Sequence, residues 1–357
     1  MTICLTACAV SATAELDVDQ QQLVSLGRTL FFDPLLSLNN NQSCATCHSP
    51  QRAFTDARST EPFSVGSDGH SLTTRNTPSL DYVAQTPNFG RNREGAYHGG
   101  FFYDGRSPNL AAQAKEPIFS PIEMALPDVA TLQQRIADHP SYPQLIGEMF
   151  GPDVLTDADE LLQAVTQSLA AFQTYGEEFS SFSSRYDKFL RGELQLTQLE
   201  NRGRLLFFSS LVNCSNCHHL EIDRQEPFTD YTFHNIGVPG QTTPDLGLAA
   251  NPSVQGNEHQ GKFKVPSLRN VAVTPPYMHN GSMQELETVL IFYNTYLINT
   301  PTNPETGRPW GEADVDANIS TDLLSQGQPL SQLHIDALIA FMRALTDERY
   351  AHLLDDS

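Results

Sequence analysis

Apolar residues recur at helical spacing in four stretches of the chain, separated by polar segments rich in turn-forming residues. The longest stretch, 157–190, predicts an amphipathic helix, with Asp157 and Asp159 in its first turn, where acidic side chains are favoured. Another helix is expected at about 331–345. Residues 57–109 are rich in Gly, Pro and Asn and are expected to form long loops, and strand patterns are short and scattered. The pattern therefore predicts an all-α fold. The apolar positions are Leu23, Leu26 and Leu30; Leu161, Leu162, Val165, Leu169 and Phe172; Leu199 and Leu206; and Leu333, Leu338, Ile339, Phe341 and Met342.

Two of these stretches run into a pair of phenylalanines and look like copies of one unit. Gly27-Arg28-Thr29-Leu30-Phe31-Phe32 is matched by Gly203-Arg204-Leu205-Leu206-Phe207-Phe208. The duplication predicts an N-terminal segment of residues 1–21 followed by two domains in tandem, 22–160 and 161–352, with the boundary near the start of the long helix.

Each copy is followed by the pattern Cys-x-x-Cys-His, which is the signature of c-type haem attachment. Both thiols bind the vinyl groups of one porphyrin, and the adjacent histidine becomes the proximal iron ligand. Paired Cys-x-x-Cys units also bind zinc, but zinc does not explain a histidine directly after each one. A thioredoxin-like motif would need a βαβ setting that the pattern lacks. The sequence therefore predicts two covalently bound haems c, at Cys44-Ala45-Thr46-Cys47-His48 and Cys214-Ser215-Asn216-Cys217-His218. Haem c attachment in turn predicts a periplasmic or surface-exposed protein.

Charge and the two remaining cysteines bear on partners and location. The 357 residues carry a formal net charge of −21, which disfavours nucleic acid and would attract basic partners; the alternative is that the charge only aids solubility. No stretch approaches the ~20 apolar residues of a membrane span. Leu5-Thr6-Ala7-Cys8 resembles a lipoprotein cleavage site, with a lipid anchor at Cys8. Since the apolar stretch before it is short, a start further upstream or an accidental resemblance are the alternatives.

Several further blocks follow one another in a specific order along the chain. Together they resemble the bacterial di-haem cytochrome c peroxidases and their MauG-type relatives from about residue 22 to 350. The resemblance implies that peroxide reacts at the N-terminal haem, on His48, while the C-terminal haem, on His218, stores and relays electrons. The blocks are 30–34 (LFFDP), 43–48 (SCATCH), 75–78 (RNTP), 103–106 (YDGR), 121–124 (PIEM), the second Cys-x-x-Cys-His, 265–271 (VPSLRNV) and 276–281 (PYMHNG).

The resemblance also implies a proton-transfer group above the first haem. Glu123 matches the family's distal-pocket carboxylate, and Gln113 matches another pocket position. Cleavage of the O–O bond needs a group that takes a proton from the near oxygen and delivers it to the leaving one, and a carboxylate can do this. Without the family match, a solvated loop acid would be the preferred interpretation of Glu123.

Two positions bear on the iron ligands opposite the proximal histidines. His70 lies near the place where classical peroxidases have a histidine that caps the N-terminal iron, although its spacing to Arg75 is two residues shorter; the alternative is a surface histidine. Tyr293 falls where classical peroxidases place a methionine ligand of the C-terminal haem and MauG-type enzymes place a tyrosine. A phenolate favours oxidised iron, whereas a thioether raises the potential. The alternative for Tyr293 is a core aromatic.

Tyr103 stands where family members usually have a tryptophan between the two haems, as a stepping stone for electrons. Oxidation of a tyrosine must release a proton, so relay through Tyr103 would be slower or gated. The only tryptophan, Trp310, lies in a segment without a match, and the sequence assigns it no relay role.

Three further positions match the family's inter-domain calcium site: Asn76, Thr274 and Pro276. Side-chain and backbone oxygens with several waters suit Ca²⁺, a hard cation that tolerates sparse protein ligation. Ordinary loop capping by Asn76 is the alternative.

Three functions follow from these features. The first is a peroxidase that reduces hydrogen peroxide with electrons from a small cytochrome c or cupredoxin. The second is a MauG-like enzyme that oxidises aromatic residues of a partner protein; Tyr293 favours it, whereas ligation by His70 would favour the first. The third is an electron carrier without catalysis, which would show no effect of Glu123→Gln on peroxide turnover.

Overall fold

The computed structural model describes residues 16–58, 62–220, 225–240 and 243–355, and these are mostly helical. The prediction of a mainly helical fold is confirmed. Cys8, the residue of the proposed lipid anchor, lies outside the described ranges. The helices are α1 (Val18–Phe32), α2 (Cys44–Cys47), α3 (Leu110–Phe119), α4 (Val129–Asp138), α5 (Tyr142–Phe150), α6 (Ala158–Tyr175), α7 (Arg185–Leu190), α8 (Gln198–Phe207), α9 (Leu286–Asn294), α10 (Thr321–Leu324) and α11 (Gln332–Ala344). The strands β1 (Gly90–Arg91) and β2 (Tyr97–His98) pair antiparallel, as do β3 (Phe233–His234) and β4 (Phe263–Lys264).

Helices α1 and α6 form the centre of a first helical cluster. Helix α1 begins at a capping box, in which the Asp17 carboxylate accepts a backbone N–H of the first turn. The two helices approach so closely that a Cβ built on Gly27 would lie 1.8 Å from the Ser168 carbonyl oxygen. One turn further on, the rings of Phe31 and Phe172 meet edge to face with centroids 5.4 Å apart. This backbone contact requires glycine at position 27.

The same construction recurs where α8 crosses α11. Helix α8 begins at a capping box on Thr197, and a Cβ on Gly203 would lie 1.8 Å from the Ala337 carbonyl oxygen. The rings of Phe207 and Phe341 again lie 5.4 Å apart. The repeated Gly-Arg-x-Leu-Phe-Phe pattern thus encodes a close helix crossing and the aromatic contact beside it.

The helix predicted over 157–190 is interrupted. Helix α6 ends at Tyr175, because Gly176 takes an extended conformation. A short 3₁₀ turn follows at Glu177–Phe179, and the chain becomes α-helical again only in α7. The apolar face of α6 completes the core of the first cluster. The predicted domain boundary between residues 160 and 161 falls within the first turn of α6, and the division into 22–160 and 161–352 stays a prediction. The predicted last helix, 331–345, is observed as α11.

Loops from the two halves of the chain meet in a buried hydrogen-bond network. The Tyr82 hydroxyl donates to both carboxylate oxygens of Asp347, at 2.8 and 2.7 Å. The Asn270 side-chain amide donates to Asp81 at 2.6 Å and to Asp347 at 3.1 Å. These contacts join the loops beside the cavity that is described next.

Candidate functional site

The first Cys-x-x-Cys-His motif forms a single helical turn, α2, which His48 directly follows. The His48 Nδ1 lies 3.0 Å from the carbonyl oxygen of Phe54, a residue held in a left-handed conformation (φ 55°). A carbonyl at Nδ1 selects the tautomer that carries its hydrogen there and leaves Nε2 free to bind a metal. Burial lowers the pKa of His48, which keeps the imidazole neutral, as ligation requires.

The second motif has the same construction. Residues Cys214–Asn216 form a 3₁₀ turn, and the His218 Nδ1 lies 3.1 Å from the Phe228 carbonyl oxygen, again at a left-handed residue (φ 58°). Burial lowers the pKa of His218 as well. Both motifs therefore present a neutral imidazole with an oriented Nε2.

Both motifs line one large cavity of about 1340 Å³. All four motif cysteines are free thiols, and burial raises their pKa values, to about 11 for Cys47 and about 12 for the other three. Two unpaired thiols one turn apart, followed by an oriented imidazole, fit a covalently attached haem at each motif.

No helix within the described ranges is long and apolar enough to cross a bilayer.

The predicted proton-transfer residues lie at the first motif. Glu123 and Gln113 both line the cavity, Glu123 from a turn after α3 and Gln113 from α3 itself. Burial raises the pKa of Glu123, an effect that a hydrogen bond from Ser120 and the charge of Arg106 partly offset. The Glu123 carboxyl is also close enough to influence the Cys47 thiol, which locates it at the N-terminal end of the cavity.

Tyr293 lies at the second motif. It belongs to α9 and lines the cavity, and the groups that act electrostatically on its phenol include the thiols of Cys217 and Cys214. Burial raises the pKa of Tyr293 well above the usual range. In the protein chain alone, the phenol is therefore protonated, and a bound cation would be needed to make it a phenolate.

Tyr103 also lines the cavity, and its carbonyl accepts a hydrogen bond of 2.8 Å from the backbone of Lys264. Burial raises the pKa of the Tyr103 phenol well above the usual range, although the charge of Arg75 opposes this. The guanidinium of Arg75 is itself held by Asp104 at 2.7 Å and by Asp245 at 2.6 and 2.8 Å. Loss of the proton from the Tyr103 phenol is therefore unfavourable.

His70 lies outside the cavity that the other predicted site residues line. Its side chain is 80% exposed, and its Nε2 is 3.2 Å from the Asp68 carboxylate. As placed, His70 faces solvent, and its role as an iron ligand stays a prediction that would need the loop to move.

The three residues of the predicted calcium site line the same cavity. The Asn76 side-chain amide lies 2.6 Å from the Pro276 carbonyl oxygen, and the backbone N–H of Asn76 donates to the His279 carbonyl at 2.8 Å. The Thr274 hydroxyl donates to the carbonyl oxygen of Val271 at 3.3 Å. The Asn76 side chain thus lies beside the Pro276 carbonyl oxygen, and ligation of a cation by the three residues stays a prediction.

Two charged residues of the cavity wall were not predicted to have a role. Lys264 is partly buried, donates from Nζ to the Gly100 carbonyl, and has a pKa lowered by desolvation to about 8. Arg106 donates to Glu116 at 2.8 Å and lies with its guanidinium carbon 3.6 Å from the centre of the Phe102 ring. A lysine directly before an apolar run was the available signal for Lys264. Arg106 stands in the matched block 103–106.

Comparisons with known proteins point to one family. The sequence model of the family described as di-haem cytochrome c peroxidase matches residues 21–195. The methylamine utilization protein MauG of Paracoccus denitrificans is 45% identical, over 94% of this chain and 91% of that protein. The cytochrome c551 peroxidase of Nitrosomonas europaea is 28% identical, over 80% and 77%. The crystal structure of the diheme peroxidase BthA from Burkholderia thailandensis matches with a TM-score of 0.82 at 31% identity, over 95% and 89% of the two chains.

These similarities confirm the resemblance seen in the sequence. The family implies two c-type haems, which the two motifs and the shared cavity fit. The chain therefore belongs to the di-haem cytochrome c peroxidase family, which includes the MauG proteins, and it is an oxidoreductase.

Proposed function

We propose that this protein is a periplasmic di-haem enzyme of the MauG type, which reduces hydrogen peroxide and uses the oxidising equivalents to oxidise aromatic residues of a partner protein. The observation that carries the proposal is Tyr293, a phenol at the second haem motif where a classical peroxidase would have a methionine. Identity of 45% to a MauG protein, over 94% of the chain, supports the same assignment.

Two haem domains in tandem follow from this proposal. When bound, the haems supply redox-active iron for the two-electron reduction of peroxide. Cys44, Cys47 and His48 would hold the N-terminal haem. Cys214, Cys217, His218 and Tyr293 would hold the C-terminal haem.

Glu123 would move the proton during O–O cleavage. Burial shifts the pKa of its carboxyl towards neutral pH. A group with such a pKa can both accept a proton from the near oxygen and return it to the leaving oxygen. Gln113, which lines the same cavity, would orient the peroxide through its side-chain amide. Arg106 would limit the rise in the Glu123 pKa through its positive charge.

Tyr103 would relay electrons between the two haem motifs. Its phenol pKa is raised by burial, so one-electron oxidation must displace a tightly held proton. Relay through Tyr103 is therefore expected to be slower than through a tryptophan, and to show a solvent deuterium isotope effect.

The proposed reaction needs an N-terminal haem that is open to peroxide in the resting protein. His70→Ala is therefore expected to leave the reaction of the fully oxidised protein with peroxide unchanged, because the His70 imidazole lies in solvent beside Asp68. Stopped-flow absorbance after mixing with one equivalent of peroxide measures this rate. The parent is expected to react at once, without prior reduction. A parent that reacts only after one haem is reduced, together with a faster His70→Ala variant, would contradict the proposal.

We also propose one Ca²⁺ bound by the side chain of Asn76 and by carbonyl oxygens of Thr274 and Pro276. The 2.6 Å approach of the Asn76 amide to Pro276 supports it, because half a turn of the amide would present an oxygen at that position.

Asn76→Ala is expected to weaken Ca²⁺ binding at least about tenfold, a loss typical of a damaged metal site. Calorimetric titration of the chelator-treated holoenzyme measures the affinity. Asn92→Ala is the matched control, because Asn92 caps a distant loop through the N–H groups of Glu94 and Ala96. Equal Ca²⁺ affinity in both variants would show that Asn76 does not bind the ion, and would contradict the proposed site.

A conventional peroxidase with a small redox protein as electron donor is the second candidate. The similarity to a cytochrome c551 peroxidase supports it, and the net charge of −21 would attract a basic cytochrome c or cupredoxin. Rapid steady-state oxidation of such a reduced donor would favour this candidate over the MauG type.

The two haem attachment motifs support a location in the periplasm, and a lipid anchor at Cys8 is part of the same proposal.

A further inference from the structure

Trp310, the only tryptophan of the chain, stands at the outer end of a row of aromatic rings that begins in the haem cavity. Its indole meets the ring of Phe292 at 61° with centroids 5.3 Å apart. Phe292 is 4% exposed, and its ring lies 6.2 Å from that of Tyr293. Tyr293 lines the cavity beside the thiols of Cys214 and Cys217. Two ring-to-ring steps therefore connect the C-terminal haem motif with a partly exposed indole.

Among the rings around Phe292, Trp310 is the one best suited to lose an electron. Phenylalanine is too difficult to oxidise, so Phe292 serves only as a tunnelling medium. Tyr296 lies 6.3 Å from Phe292, but burial raises its pKa and its hydroxyl donates to the Ile236 carbonyl, so its oxidation must displace a proton. An indole can be oxidised without losing its proton. The Trp310 Nε1–H keeps its hydrogen bond of 2.8 Å to the carbonyl oxygen of Thr300.

The indole can be reached from solvent through a groove of about 560 Å³. Pro62, Pro309 and Met283 line it together with Trp310, and Arg308 is the charged residue beside them. Proline rings pack well against a small aromatic ring, and the guanidinium can lie over its face. Because the chain carries a net charge of −21, a neutral aromatic is favoured over an anionic one.

We infer that Trp310 is a one-electron redox site at the surface, where small neutral phenols deliver electrons to the oxidised C-terminal haem. The inference rests on the proposed function, which supplies peroxide as the oxidant. Peroxide takes up two electrons and two protons to give two waters, and two phenols supply them. At each transfer the indole gives one electron inward, and the resulting cation radical takes one electron from a phenol, whose hydroxyl proton goes to solvent.

Without a phenol, the oxidised indole has a second outcome. It loses another electron, adds water and releases two protons, which gives hydroxytryptophan. Trp310 would then be modified at the expense of one peroxide, which is itself reduced to water. This product marks the site chemically.

The test uses the diferric holoenzyme with ring-deuterated tryptophan, which labels position 310 alone. After mixing with peroxide and freezing, the EPR spectrum is expected to show a radical whose signal narrows on deuteration. The signal should vanish in Trp310→Phe, form more slowly in Phe292→Leu, and persist in the control Tyr296→Phe. Guaiacol, the phenol probe, should quench it. Peptide mass spectrometry should find hydroxytryptophan at Trp310 and no change at the exposed ring of Tyr175 (46%).

The possible failures are distinguishable. A radical insensitive to deuteration, or an unmodified Trp310, in protein whose haem absorbance does respond to peroxide overturns this inference and leaves the proposed function intact. A tryptophan radical that guaiacol does not quench overturns the assignment of phenols as donors at this groove. Haem absorbance that does not respond to peroxide overturns both the inference and the proposed function.

Discussion

Replacing Glu123 by glutamine is expected to slow the reaction of the oxidised protein with hydrogen peroxide by roughly 10²–10⁴-fold, the usual contribution of a positioned acid–base group. Glutamine keeps the size of the side chain and its capacity for hydrogen bonds, but it cannot take up the peroxide proton. Glu123 lines the N-terminal end of the cavity near Cys47, so it is the carboxyl placed to act there.

The pH dependence gives this prediction a second signature. Burial raises the pKa of Glu123, and the carboxylate must be deprotonated to accept the peroxide proton. The rate in the parent is therefore expected to be full above that raised pKa and to fall as the pH drops through it. The Glu123→Gln variant should lack this limb.

Stopped-flow absorbance across pH measures both effects, and Glu116→Gln is the matched control. The Glu116 carboxylate lies on the same helix as Gln113, but it is engaged by Arg106 at 2.8 Å and by the Ser107 hydroxyl. Its loss should change the rate far less. Equal slowing in the two variants, or none in either, would show that Glu123 does not transfer the proton.

Replacing Arg269 by methionine is expected to lower the free energy of unfolding by about 3–5 kcal/mol, the usual cost of removing one partner of a buried ion pair. The Arg269 side chain is fully buried, and its Nη1 donates to both Asp187 oxygens at 2.8 Å. Its Nε donates to the Glu226 carbonyl at 2.8 Å. Methionine would leave the Asp187 carboxylate buried without its cation, and would free the loop that ends at Phe228, whose carbonyl orients His218.

Urea unfolding, followed by far-ultraviolet circular dichroism and by haem absorbance, measures this effect. Arg185→Met is the matched control: it makes the same substitution in α7, the helix that carries Asp187, but removes only a surface pair with Glu200 at 2.7 Å. A pair that is 47% exposed on the arginine side should contribute less than about 1 kcal/mol. If Arg269→Met were as stable as Arg185→Met, the buried pair would not hold the loop of the second haem motif.

The haem motifs could be predicted from sequence because their chemistry is local. Two thiols one helical turn apart and an adjacent histidine occupy five consecutive residues, and the fold brings nothing distant into that set. The helix crossings were partly predictable for a similar reason. The repeated glycines at 27 and 203 marked the two units, although only the structure shows that each glycine faces a carbonyl of the partner helix.

Contacts between distant residues could not be predicted in this way. The orientation of His48 depends on the carbonyl of Phe54 in a left-handed conformation, which no local preference of phenylalanine indicates. Lys264 becomes a partly buried cation of the cavity wall only because its strand packs against Gly100 and Tyr103, more than a hundred residues earlier. Trp310 likewise gains its significance from a contact with Phe292 in another element.

The EPR spectrum of the resting, fully oxidised holoenzyme at neutral pH tests the central claim most directly. With His70 in solvent, the N-terminal iron would be open to peroxide, and the C-terminal iron would be held by His218 and Tyr293. We expect a high-spin ferric signal from the first and a low-spin ferric signal from the second. Two low-spin signals, with no high-spin species, would mean that both irons are capped, and would contradict the MauG-type assignment in favour of a classical peroxidase that must be reduced before it reacts.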